Sequence, residues 1–202
     1  MDMQLVNTHG LTALAGLNWE RGAKPNFFQA FRFGRRPIGY VQFSGRIAEA
    51  ALTSDASDAF ALAWMLGRSV ADATGVVAAV LAVKIDGDTA YYGAQFKDGV
   101  VVLHSEELFE TAQLVVEWAV QLKRSDLIED LYVEADFIDI ARAVDTGLAP
   151  KELSDIDLDA QDSAPKLTPF FMVTPKRLGF LAALVAVSFS APKGLELLVN
   201  AG

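Results

Sequence analysis

The chain has no cysteine in 202 residues. That excludes disulfide staples, thiolate metal sites and a cysteine nucleophile, and it leaves the compartment open. Histidine is nearly missing as well. His9 and His104 are the two; each borders an expected strand end, and neither stands beside a serine–acid pairing or a second ligand. There is no glycine-rich Walker loop and no G-x-G-x-x-G. The opening MDMQLVNTHG has neither a basic flank nor an apolar core, which predicts no secretory signal peptide.

What is present is apolar and acidic. Hydrophobic residues make up 52% and mean hydropathy is +0.27, high for a freely soluble protein and far too low for a multi-span one. The net charge is −9. Asp126 to Asp162 carries twelve acids against Arg142 and Lys151, a local balance of −10, so the rest sums to about +1. An acidic belt repels phosphate backbones and argues against nucleic acid as a partner. Basic residues crowd instead into Arg21, Lys24, Arg32, Arg35 and Arg36, and Arg32, Arg35 and Arg36 are the candidate contacts to anionic lipid or an acidic partner.

MQLV, a turn at Gly10 and LTALAGLNW read as two strands. NFFQAFRF spaces Phe27, Phe28 and Phe31 as on a helix, PIGYVQFS reads as a strand, and a helix is expected from Ser54 or Asp55 to Gly75. VVAAVLAVKI, TAYYGAQF and VVVLHS form three strand-like runs, separated by the hairpin signals DGD and KDG. Ser105 is the expected cap of a helix through Arg124 that buries Leu108, Ala112, Val115, Val116, Ala119 and Leu122. DLYVEA is a strand and FIDIARAV a short helix. Residues 76–143 thus read β-β-β-α-β-α, the opening of a ribonuclease-H-like or actin-like half. Residues 3–72 echo that order faintly, without a residue-level repeat. The expected organisation is an α+β domain over 1–147, in two related halves (1–75 and 76–147), then an acidic linker over 148–175 and an apolar helix over 176–202.

Motifs that could carry chemistry are degenerate. Actin-like enzymes hold phosphates with Asp-x-Gly-(Thr/Ser) in the first hairpin. NTHGLT has Asn7 or His9 where the acid belongs, and IDGDTAYYG puts Asp88 where glycine belongs. A plain hairpin turn explains both. Asp155, Asp157 and Asp159 alternate like the start of a calcium loop, but Ala160 and Lys166 replace the required glycine and glutamate. No catalytic, cofactor or metal residue is assigned.

From Leu178 to Ala191 there are fourteen residues without a charge. As a helix they span about 21 Å, against a hydrocarbon thickness of roughly 30 Å. Lys176 and Arg177 flank the run on its expected cytoplasmic side, and Lys193 can snorkel at the far interface. The run is apolar all round. The candidate anchor comprises Lys176, Arg177, Leu178, Phe180, Leu181, Leu184, Val185, Val187 and Phe189.

GLNW (Gly16 to Trp19), YYGAQFKDGVVV (Tyr91 to Val102), the helix after Ser105, LYVEA (Leu131 to Ala135) and the basic-flanked apolar run set the element order. In this order the chain resembles the inner-membrane accessory proteins of type IVb pili, the PilO type. It is similar in outline to the actin-like cytoplasmic domains of type II secretion assembly-platform proteins. The resemblance implies a non-catalytic scaffold at the inner membrane, its domain on the cytoplasmic side, docking the assembly ATPase and a polytopic membrane protein. It departs from the family in having eleven residues after Ala191 where a periplasmic portion is expected. The rival readings are a soluble cytoplasmic subunit of a phage or capsid-type assembly, and an actin-like ATP-binding protein.

Overall fold

A computed structural model describes residues 3–26, 29–34, 38–51, 59–144, 149–153, 164–173 and 177–179. The chain divides into two compact units, Met1–Lys24 with Ile38–Pro169, and Pro25–Pro37 with Phe170–Gly202. The architecture is mixed α+β.

In chain order the elements are β1 (Gln4–Thr8), β2 (Leu11–Ala15), β3 (Glu20–Arg21), β4 (Phe31–Phe33), β5 (Ile38–Phe43), β6 (Arg46–Ala51) and β7 (Phe60–Ala61). Then come α1 (Leu62–Ser69), β8 (Val76–Ile85), β9 (Asp88–Lys97), β10 (Val100–Val101), β11 (Glu107–Phe109), α2 (Ala112–Arg124) and β12 (Asp130–Val133). A 3₁₀ turn (Ala135–Phe137) leads into α3 (Ile138–Val144), followed by β13 (Lys151–Glu152), β14 (Thr168–Pro169) and β15 (Phe171–Val173).

The first unit is organised by β8. Its run VVAAVLAVKI is apolar on both faces because both faces are covered. Val77, Ala79, Leu81 and Val83 join the core that contains Leu62 and Leu66 of α1. Ala78 and Val80 face Val115, Val116 and Ala119 of α2. Period-two alternation of one strand therefore feeds two separate cores. β8 pairs with β9 along its whole length, and its other edge is shared. β12 runs parallel to it from Asp130↔Val77 to Val133↔Val80, while β1 meets it antiparallel at Asn7↔Lys84. The order β11-β9-β8-β12-β13 follows, with β13 parallel to β12. A second sheet of this unit has the order β14-β5-β6-β3.

Four hairpins use the same two-residue turn: His9–Gly10, Ser44–Gly45, Asp86–Gly87 and Asp98–Gly99, each with positive φ at both residues. Such turns match the strand twist and favour glycine at the second position.

The strand register exposes a repeat that sequence reading alone does not find. The shift that carries Asn7 onto its partner Lys84 also carries Val6, Gly10, Thr12, Ala13, Gly16 and Gly22 onto Val83, Gly87, Thr89, Ala90, Gly93 and Gly99. Trp19 falls on Phe96, both fully buried. The cross-strand polar pair is repeated too: Thr12 Oγ1 donates to Asn7 Oδ1 at 2.9 Å, and Lys84 Nζ donates to Thr89 Oγ1 at 2.5 Å. The two hairpins meet antiparallel at the Asn7–Lys84 pair.

Several expectations are corrected. In the Phe-rich segment Phe31–Phe33 forms strand β4 and not a helix, and Ala30 N–H is bonded to Asn26 O at 2.9 Å; Phe27 and Phe28 lie outside the described residues. Of the helix expected to end near Gly75, the described residues from Ala59 on form only α1, because Phe60 and Ala61 pair with Ala13 and Leu14 of β2; Ser54 and Asp55 lie outside the described residues. α2 starts at Ala112, and its cap is Thr111, whose side chain accepts from Leu114 N at 3.3 Å; Ser105–Phe109 instead turns back to pair with β9. Leu108 therefore sits on β11, and the stripe buried on α2 is Val115, Val116, Ala119 and Val120. Part of the stretch expected as linker belongs to the fold, since β13 and β14 come from it and Leu153 and Leu167 are buried.

In the second unit β4 and β15 form a parallel ribbon, Phe31↔Phe171, Arg32↔Met172 and Phe33↔Val173. Of the expected anchor, residues 177–179 are helical and Leu178 is exposed; Lys176 and everything from Phe180 onward lie outside the described residues. Among the described residues no helix is long and apolar enough to cross a membrane.

Candidate functional site

β12 and β1 approach the same edge of β8 from opposite ends, and neither covers Ala82. Both main-chain groups of Ala82 there are satisfied by side chains. Glu134, the residue after β12, accepts from Ala82 N at 2.8 Å through Oε2; Thr8, the last residue of β1, donates its hydroxyl to Ala82 O at 3.1 Å. The other oxygen of Glu134, Oε1, accepts from His9 Nε2 at 2.8 Å. His9 owes its place to the turn, where its φ is 49°. An unmet peptide group would cost about 1–3 kcal/mol here. Glu134 thus closes a gap in the sheet and orients an imidazole with one carboxylate.

A cleft of about 740 Å³ opens at this point, lined by the His9–Gly10 turn, Ala82 to Lys84, Thr89, Glu134 to Phe137, Glu152 and Leu153. Its charged wall holds Glu134, Asp136 and Glu152 against Lys84, with the His9 ring beside them. This balance disfavours a polyphosphate and suits neutral or cationic groups that hydrogen-bond. Among the described residues no group of three or more histidine or acidic side chains is placed to hold a metal ion. The aspartates at 155, 157 and 159 lie outside the described residues.

A second polar centre lies inside the unit. Glu106 is 7% exposed and its carboxylate accepts from Gly16 N at 2.9 Å, from Leu17 N at 3.3 Å and from the Trp19 indole N–H. These donors pin the GLNW turn. Burial pushes the Glu106 carboxyl up to about 7, against the hydrogen bonds from Trp19 and the backbone, which favour the charged form. The Tyr92 hydroxyl, fully buried, has no hydrogen-bond partner of ordinary geometry among the described residues. Burial first, and the nearby Glu106 charge second, raise its pKa well above the usual phenol value. The relation between the two groups is electrostatic rather than a formed hydrogen bond.

Of the residues singled out in the sequence, His9 joins the cleft and His104 does not line it. Asp86 and Asp88 of the second hairpin are absent from its lining. Glu134 and Glu106 were missed. The partners of Glu134 are 52 and 125 positions away in the chain and those of Glu106 are 87 to 90 away, and no local pattern marks them. Arg32 lies in the second unit with its guanidinium 4.6 Å from the Phe170 ring centre; Arg35 and Arg36 lie outside the described residues. No protein-family model and no curated protein matches the chain.

Proposed function

We propose that the protein is a non-catalytic, membrane-tethered adaptor of a type IV pilus or secretion-type assembly, with a ribonuclease-H/actin-like domain on the cytoplasmic side of the inner membrane. The observation that carries the reading is the strand order β11-β9-β8-β12-β13. An antiparallel meander, a helix, a strand parallel to the first, a second helix and a further parallel strand is the order of such a half. The matching hairpins β1–β2 and β8–β9 support a domain built from two related halves.

The turns that would cradle phosphate in an actin-like enzyme carry Asn7 or His9 in place of the acid in one half and Asp88 in place of glycine in the other. The carboxylate of Asp88 opposes phosphate in the second turn and the first turn lacks the acid, which favours a domain that serves by binding other proteins, among them the assembly ATPase and a polytopic membrane protein. The tether is the apolar run after Arg177. Expression of the full chain followed by membrane separation and a carbonate wash tests the reading. The adaptor should stay with the membranes and be cross-linked there to proteins of the assembly. A chain found wholly in the soluble fraction, or a thermal shift produced by magnesium nucleotide, would overturn it.

A further inference from the structure

The cleft beside Ala82 has the size and lining of a ligand site, and an adaptor's docking role gives it no task. Its volume is about 740 Å³, and every residue that lines it belongs to the first unit. Ligand sites are concave, roughly 300–1,000 Å³ in volume, and mostly apolar with a few convergent polar groups. Val83, Phe137 and Leu153 supply the apolar part here. The polar part comes from separate stretches of the chain: His9 in the β1–β2 turn, Glu134 and Asp136 after β12, and Glu152 on β13.

These polar groups are mostly acceptors. Glu134 takes the His9 Nε2 hydrogen on Oε1 and the Ala82 amide on Oε2, each at 2.8 Å. With its hydrogen on Nε2, the neutral His9 ring keeps Nδ1 as an acceptor, and nothing among the described residues donates to it. Asp136 and Glu152 are exposed and make no hydrogen bond or ion pair among the described residues. The neighbouring cations are committed elsewhere: Lys151 to Asp130 at 2.7 Å, and Lys84 to the Thr89 hydroxyl at 2.5 Å. Three carboxylates against one lysine leave the cleft with a balance of −2.

We infer that the cleft binds an organic cation, a guanidinium or ammonium group carried on a short apolar stem. Such groups bring several N–H donors and no acceptor, which matches a wall of acceptors. Their methylene stems lie along apolar surface while the charged head stays with the carboxylates, and Val83, Phe137 and Leu153 offer that surface. One exposed carboxylate is worth little to a cation. Gathered in a concave wall, the three focus their field on one place, and His9, held by Glu134, adds an acceptor of fixed direction. The same field turns anions away. The inference does not depend on the membrane tether.

The shortage of histidine allows a direct test, because His9 lines the cleft and His104 does not. Full-length protein with isotope-labelled histidine, in non-ionic detergent, is titrated with N-acetyl-arginine amide and, separately, with agmatine. The first carries its guanidinium as a protein chain does, the second as a free small molecule. The His9 ring signals should move saturably at up to millimolar ligand while the His104 signals stay. The tighter of the two ligands tells whether the cation arrives on a protein or alone. The uncharged isostere N-acetyl-citrulline amide should leave His9 unmoved. Asp136→Asn and Glu152→Gln should each raise the ligand needed for half the shift about threefold, with the melting temperature unchanged. Citrulline amide matching the arginine compound would overturn the inference, as would pyrophosphate moving His9 where the cations do not. A His9 signal that stays still with both cations, or a midpoint unchanged in the double variant, overturns it as well.

Discussion

Asn7 and Lys84 lie opposite each other where β1 meets β8, at equivalent positions of the two hairpins. Each is tied across its own hairpin to a threonine, Thr12 or Thr89. The pair is where the two hairpins meet antiparallel. On one side of it, beyond the end of β1, the sheet edge is left to Glu134 and Thr8.

Glu106 makes stability depend on pH in a defined direction. Its native pKa is raised, so the folded state holds a proton that the unfolded chain has lost between the ordinary value of 4.5 and about 7. The contribution is complete below the lower value and disappears as pH rises through the upper one. It amounts to something on the order of 3 kcal/mol. Glu106→Gln should flatten this part of the profile, so the difference in unfolding free energy between variant and wild type changes from pH 4.5 to 7 and is constant above. A difference that does not vary with pH would refute the assignment.

Gly67 of α1 approaches Gly99 so closely that an added Cβ would run into the Gly99 carbonyl oxygen. Backbone cannot step aside as a side-chain end can. Gly67→Ala should therefore destabilise by about 1–3 kcal/mol, despite the better helix propensity of alanine. Denaturant unfolding measures this, and a stabilised variant would show that α1 does not sit on the β9–β10 turn.

Removal of Glu134 should be felt at Ala82. Glu134→Ala leaves the Ala82 amide without its acceptor and should cost about 1–3 kcal/mol, with faster hydrogen exchange at that amide. His9→Ala should cost less, since His9 is 40% exposed on its side chain. A double-mutant cycle between the two then reads their coupling, and zero coupling would mean that the imidazole is not held by the carboxylate.

The two hydroxyls near α2 separate the expected cap from the real one. Thr111→Ala should lose about 1 kcal/mol and loosen the Leu114 amide. Ser105 accepts from Gln95 N at 3.1 Å and donates to Val102 O at 2.8 Å, so Ser105→Ala should loosen the Gln95 amide and leave α2 unchanged. Exchange rates at Leu114 and Gln95 distinguish the outcomes.

Local chemistry was enough for the turns at Gly10, Gly87 and Gly99, for β8 as a strand, for α3, and for α2 from Ala112 onward though not for its start, because turn conformation and apolar period act within a few residues. The same information did not separate helix from strand in the Phe-rich segment, since β4 exists by pairing with residues far along the chain. β6 went unread as a strand, and Phe60–Ala61 passed for helix, for a related reason: each is held by a neighbouring strand more than by its own propensity. The repeat became visible only once pairing set its alignment. Glu134 and Glu106 look like any surface acid in the sequence. Only the fold decides that one closes the sheet edge and the other is buried, because burial and bonding to distant backbone are properties of packing and leave no trace in the order of residues.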